Sequence, residues 1–154
     1  MSAAYPTGAI PRVNAYVPDS TDFAYVSMGT NDMADAGIPP AQTLENLAWM
    51  VDQWTQVGHA ANHLVLTTLP PRGDRDLGNA IPAINAGIRA LAGRTGAGLI
   101  DLAAHISADD GLTWRDPAMH IGDRVHYTTT VREWIAGELV TYMAARVPVA
   151  SSAP

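Results

Sequence analysis

Short apolar runs alternate with helical apolar stripes along most of this chain, and that alternation constrains the fold more than any other feature. Phe23-Ala24-Tyr25-Val26-Ser27-Met28 is a nearly continuous apolar run that stops at Gly29. Its length and its turn-forming borders predict a strand buried on both faces. Leu44, Leu47, Ala48, Val51, Trp54 and Val57 then recur at helical spacing until Gly58. A second run, His63 to Leu69, closes at Pro70-Pro71. Ile81, Ile84, Ile88, Leu91 and Ala92 form the next helical stripe, and Leu99 to Leu102 a third strand-like run. After a long loop to about Val125, a last helix is marked by Val131, Ile135, Leu139, Tyr142 and Met143. The order strand, helix, strand, helix, strand, loop, helix argues for an α/β fold with a parallel sheet and right-handed crossovers.

The chain has 154 residues, enough for one domain with its own core. Residues 1–17, broken by Pro and Gly, read as an N-terminal arm, and Pro18 to Thr21 as a turn. The α/β domain is expected over 18–146, with a flexible tail at 147–154. Fifteen acidic residues against nine basic ones give a net charge of −6, which repels phosphate backbones and sets aside nucleic-acid binding. No cysteine is present, so disulfides, thiolate metal sites and Cys nucleophiles are excluded. All nine basic residues are Arg, which excludes a lysine Schiff base and suggests a GC-rich source such as an actinobacterium or its phage. No stretch reaches the ~20 apolar residues of a membrane span, and Met1 to Arg12 lacks the pattern of a secretory signal, so a soluble chain is expected.

Gly29-Thr30-Asn31-Asp32 directly follows the first strand, at the sheet end where open α/β folds bind ligands. An Asn there can aim an amide N–H at a developing oxyanion, although the same four residues also suit a plain turn. Asp123 and His126, three apart, can meet if the segment makes one helical turn, which would fix the imidazole tautomer and leave Nε2 as a base. The plain alternative is an exposed helix start with Asp at its dipole. His120, Asp123 and His126 also have the composition of a 2-His-1-carboxylate metal site, which would require all three to converge. His59 and His63 are not expected to share a face, because Gly58 ends the helix before them. Arg72-Gly73-Asp74 reads as an ordinary solvated turn, and Trp54 as core.

Taken in order, the blocks say more than any one alone. A strand ends in Gly29-Thr30-Asn31-Asp32, a second runs into Thr68-Leu69-Pro70-Pro71-Arg72, a helix holds Ile84-Asn85-Ala86-Gly87-Ile88, and Asp123-Arg124-Val125-His126 opens the last helix. This resembles the C-terminal portion of the SGNH (GDSL-type) hydrolases, over roughly residues 18–146. The resemblance implies a flavodoxin-like three-layer α/β/α sandwich that hydrolyses esters of lipids, acylated sugars and related compounds. It implies that His126 is the base, Asp123 its orienting partner and Asn31 an oxyanion donor, with Gly29 and Thr30 beside the substrate. No cofactor or metal is implied.

The family begins with a strand running into Gly-Asp-Ser, whose serine is the nucleophile, and a second block supplies a glycine N–H. Neither block precedes Gly29, and Asp19-Ser20 leaves no room for the helix that should follow a nucleophile turn. With a family strand order of 2-1-3-4-5, strands 3-4-5 would remain, leaving 23–28 as an open edge. Such an edge is expected to recruit a second polypeptide carrying the first half, or another copy of this chain. The rival expectation is a non-catalytic scaffold, binding or virion/cell-wall assembly component on a degenerate SGNH core.

Overall fold

A computed structural model describes residues 22–34, 37–74 and 76–146. The N-terminal arm, the turn at 18–21 and the tail at 147–154 lie outside the described residues.

Three strands, β1 (Ala24–Val26), β2 (Leu64–Thr67) and β3 (Gly98–Ile100), form a parallel sheet in the order β1-β2-β3. The register pairs Tyr25 with Val65 and Leu66 with Leu99. This is the expected α/β arrangement, with the strands at the expected places but shorter. All four residues of β2 are buried, as befits the central strand, whereas in β1 only Val26 is. The expectation that the first strand is buried on both faces therefore fails among the described residues, because its outer side has no partner strand there.

Among the described residues five α-helices accompany the sheet: α1 (Thr30–Ala34), α2 (Pro40–Gln56), α3 (Ala80–Thr95), α4 (Leu102–Ile106) and α5 (Thr129–Ala144). Alternation along the strands separates two cores. Ala24, Val26, Leu64, Leu66 and Leu99 face α2 and α3, meeting Leu47, Val51, Trp54, Ile84, Ile88 and Leu91. Tyr25 faces the other way, toward Leu102 and Ile106 of α4 and Val131 and Ile135 of α5. The result is helix, sheet, helix. Pro40 at the start of α2 costs no hydrogen bond, since a first-turn N–H has no intrahelical acceptor.

Two elements differ from expectation. The segment after β3 begins with a helix, α4, because the Asp101 side chain accepts from the Ala104 N–H and caps it. The Gly29 segment is likewise helical from Thr30, and Gly29 itself adopts φ +120°. A side chain at Gly29 would be strained by that φ and would also meet Thr43 Cγ2 at 2.9 Å, so the turn needs glycine.

Asn85 of α3 satisfies the backbone just past β2, where the pairing with β1 and β3 has ended. Its Oδ1 accepts from the Leu69 N–H at 2.7 Å and its Nδ2 donates to the Leu69 and Asp110 carbonyls at 3.2 and 2.9 Å. Arg89, one turn further along, bridges Asp101 at 2.7 Å and Asp110 at 2.6 Å. Burial pushes the Asp101 carboxyl up, but bonds from Arg89, the Ala104 N–H and the Thr68 hydroxyl outweigh it and lower its pKa. These two side chains tie the end of β2 and the 107–116 segment to α3.

Candidate active site

Beyond the carboxyl ends of the strands lies an open cleft of about 350 Å³, lined by Ser27, Thr30, Asn31, Pro70, Val125, His126, Tyr127 and Arg132. Asn31 and Thr30 reach it from α1, and His126 from the loop before α5. The sequence blocks around Gly29 and Asp123, more than ninety positions apart, thus meet at one place.

Asp123 Oδ2 lies 2.7 Å from His126 Nδ1. Asp123 Oδ1 also accepts from the backbone N–H groups of Val125 and His126, each at 2.9 Å. Together these bonds from His126 and Val125 hold the Asp123 carboxyl well below the usual carboxylate range. With Nδ1 engaged, Nε2 of His126 is the ring nitrogen left to exchange a proton.

The pair meets by a different route from the helical turn expected. Asp123 and His126 sit in a loop that precedes α5, and the turn between them is made by Arg124 at φ +60°. Hydrogen bonds from Thr128 N–H to the Met119 carbonyl and from Ile121 N–H to the His126 carbonyl, each 2.9 Å, close this loop as a small hairpin. A left-handed non-glycine residue is strained, so the loop must be held from outside. The Arg124 carbonyl accepts from the Gly73 N–H at 2.8 Å and from Trp114 Nε1 at 3.0 Å.

Arg72 and Gly73 are therefore no ordinary solvated turn. The Arg72 side chain is only 8% exposed and forms a two-bond pair with Asp74, at 2.8 and 3.2 Å. Its Nη1 donates to Asn31 Oδ1 at 3.0 Å. A guanidinium has only donors, so it selects the Asn31 oxygen and leaves the amide N–H groups for the cleft. Asp32 is held separately, accepting from the buried Thr43 hydroxyl at 3.3 Å. The segment 70–74 thus touches both halves of the site, orienting Asn31 through Arg72 and bracing the Asp123–His126 loop through Gly73. The available signal was positional: an arginine just past the carboxyl end of the central strand.

The metal arrangement does not form. His120 Nδ1 accepts from the Gly122 and Arg124 N–H groups at 3.0 and 3.3 Å, and no three His, Asp or Glu side chains among the described residues converge to hold a metal. His59 packs at a tilt against Trp54 and His63 stacks on Phe23, so the two rings go to different neighbours. Trp54 is core, as expected. Among the described residues no helix is long and apolar enough to cross a membrane.

The model of the GDSL-like lipase/acylhydrolase family matches residues 4–131. The chain belongs to this family. Solved structures of similar fold include a GDSL-like lipase from Bacteroides thetaiotaomicron VPI-5482, with 19% identity and a TM-score of 0.67 over 80% of this chain and 62% of that one. TesA shares 19% identity at a TM-score of 0.65, covering 90% of this chain and 71% of its own. The psychrotrophic esterase EstA from Pseudoalteromonas sp. shares 16% at 0.64, covering 90% and 70%. The chain thus spans less than two-thirds of the length of the Bacteroides lipase. No curated protein matches it in sequence.

Proposed function

We propose that this chain is the portion of an SGNH-type serine esterase that carries the base and one oxyanion donor, and that its nucleophilic serine comes from a partner chain or from the family's first half. One observation carries the reading: His126, paired with Asp123 at 2.7 Å, lines the same cleft as an Asn31 amide whose oxygen is already taken by Arg72.

In the proposed reaction His126 Nε2 takes the serine proton as the serine oxygen bonds to the ester carbonyl carbon. Asp123 steadies the resulting imidazolium, and the Asn31 amide donates to the tetrahedral oxyanion. Collapse breaks the bond to the leaving alcohol, which receives the proton from His126. Water then enters by the same route and frees the acid. Gly29 and Thr30 border the substrate, an ester of the acylated-sugar or lipid class. The outer edge of β1 is where the missing strand would pair, or a second copy of the chain would dock.

Fluorophosphonate labelling read by intact mass and peptide mapping tests this. The chain alone is expected to take no label. With the family's Gly-Asp-Ser half fused ahead of residue 18, the supplied serine should be labelled and His126→Ala should abolish it. A label on that serine that survives His126→Ala would remove His126 as base. A single His126-dependent adduct on Ser27, which lines the cleft, would show that the chain carries its own nucleophile. Inertness of a folded fusion would favour the non-catalytic scaffold.

A further inference from the structure

The loop that presents His126 contains a second histidine with the opposite hydrogen-bonding role. His120 Nδ1 accepts from two backbone N–H groups, those of Gly122 at 3.0 Å and Arg124 at 3.3 Å. An imidazole nitrogen can accept only when it carries no proton, so this geometry requires the neutral ring protonated at Nε2. His126 requires the reverse tautomer, with Nδ1–H donating to Asp123 Oδ2 at 2.7 Å.

The strained residue lies between them. Arg124, at φ +60°, has its N–H bound by His120 and its carbonyl bound by Gly73 and Trp114. Its peptide groups are thus held on the inner side by His120 and on the outer side by two other segments. The remaining N–H groups of the turn, at Val125 and His126, go to Asp123 Oδ1. Removing the His120 acceptor hands the exposed Gly122 and Arg124 N–H groups to water, which imposes no fixed geometry, and the left-handed turn is then free to relax toward ordinary backbone. Any such relaxation moves Asp123 relative to His126, because only Arg124 and Val125 separate them.

We propose that neutral His120 is a positioning residue for His126: by accepting from Gly122 and Arg124 it holds the turn that keeps Asp123 on His126 Nδ1. The groups packed against it carry no charge of their own: Trp114 meets its ring edge-on at 5.2 Å, and Tyr127 pairs with it across the hairpin. The charged residues of the loop are engaged elsewhere or exposed, with Asp116 capping the turn below through the Ala118 N–H, Asp123 committed to His126, and the Arg124 side chain at the surface. The consequence for ester hydrolysis rests on the proposed role of His126, whereas the clamp itself rests on this geometry alone.

Nitrogen-15 NMR of the histidine rings tests the clamp without any turnover, in the chain as it stands. In spectra of the neutral rings, His120 should be protonated at Nε2 and His126 at Nδ1. His120→Leu should shift His126 toward the tautomer mixture of a free imidazole while the remaining backbone amide spectrum keeps its dispersion. His120→Asn places an amide oxygen where Nδ1 was and should restore the Nδ1–H form of His126. The proposal is overturned if wild-type His120 is protonated at Nδ1, or if His126 keeps its Nδ1–H tautomer in His120→Leu. It is equally overturned if a well-folded His120→Asn resembles His120→Leu. None of these results depends on whether the chain hydrolyses esters, which the labelling experiment decides separately.

Discussion

Asn85→Ala should destabilise the domain more than any other single removal of a hydrogen-bonding side chain. Asn85 is fully buried and partners both backbone polar groups of Leu69, 2.7 Å to its N–H and 3.2 Å to its carbonyl, with a third bond of 2.9 Å to the Asp110 carbonyl. Leu69 is itself buried, so truncation strands its N–H and carbonyl away from water. Each stranded group costs about 1–3 kcal/mol, and the partly exposed Asp110 carbonyl costs less because solvent can reach it. A water entering the space left by the amide would recover part of this, which sets the lower bound. The expected loss is about 3–5 kcal/mol, a large share of the roughly 5–15 kcal/mol that hold a domain together. Urea unfolding followed by circular dichroism and tryptophan fluorescence should then show the midpoint fall by roughly 1.5–2.5 M, for a slope near 2 kcal/mol/M. Asn85→Leu should behave similarly, because filling the volume restores no hydrogen bond. A midpoint lowered by less than about 0.5 M in both variants, at unchanged slope, would refute the argument that Asn85 is what satisfies the Leu69 backbone.

Other consequences follow from the same geometry. In the completed enzyme, Asn31→Ala should lower kcat by roughly 10²–10³, and steady-state kinetics showing an unchanged rate would reject the oxyanion assignment. Arg72→Met should fall in the same direction, through kcat more than KM, and add little when combined with Asn31→Ala; additive losses would show that Arg72 acts elsewhere. Gly73→Ala places a Cβ 2.8 Å from Arg124 Cβ and should weaken the His126 Nδ1–H tautomer in the ring spectrum, although no charge changes. The Asp101 and Asp123 carboxyls both titrate lower in the fold than in the unfolded chain, where the value is about 3.9. Their stabilisation is full above that value and disappears as pH falls through the lower folded values, because the unfolded state takes up protons first. Acid unfolding of Asp101→Asn should accordingly be less steep than that of the wild type, and an equal slope would count against the Arg89–Asp101 pair.

The parts of the fold that periodicity reports were legible, and the parts set by single polar contacts were not. Ile84, Ile88 and Leu91 repeat at helical spacing because one side of α3 is pressed on the sheet, so burial writes the pattern into the sequence. The blocks around Gly29 and Asp123 were legible as segments at the carboxyl end of the sheet, and the fold brings Asn31 and His126 to one cleft. The route by which Asp123 meets His126 was not, since spacing of three is shared by a helical turn and by a hairpin with one left-handed residue. What decides between them lies more than forty positions away in the chain, where Gly73 donates to the Arg124 carbonyl. Arg72 reads as part of a solvated turn for the same reason. An arginine between Pro and Gly is usually solvated, and only the nearness of Asn31 in the fold makes it a buried donor. The residues easiest to name from sequence are those expected to touch substrate, whereas those that orient them, Arg72, Gly73, Trp114 and His120, carry no motif. They take their meaning from which carbonyl or amide the fold brings within 3 Å or so of them. In this chain Arg72 reaches Asn31 through its guanidinium, whereas Gly73, Trp114 and His120 reach the Asp123–His126 pair through the backbone of Arg124. The precision of the Asp123–His126 pair is thus a property of the 70–74 segment and the 114–124 loop as much as of the pair itself.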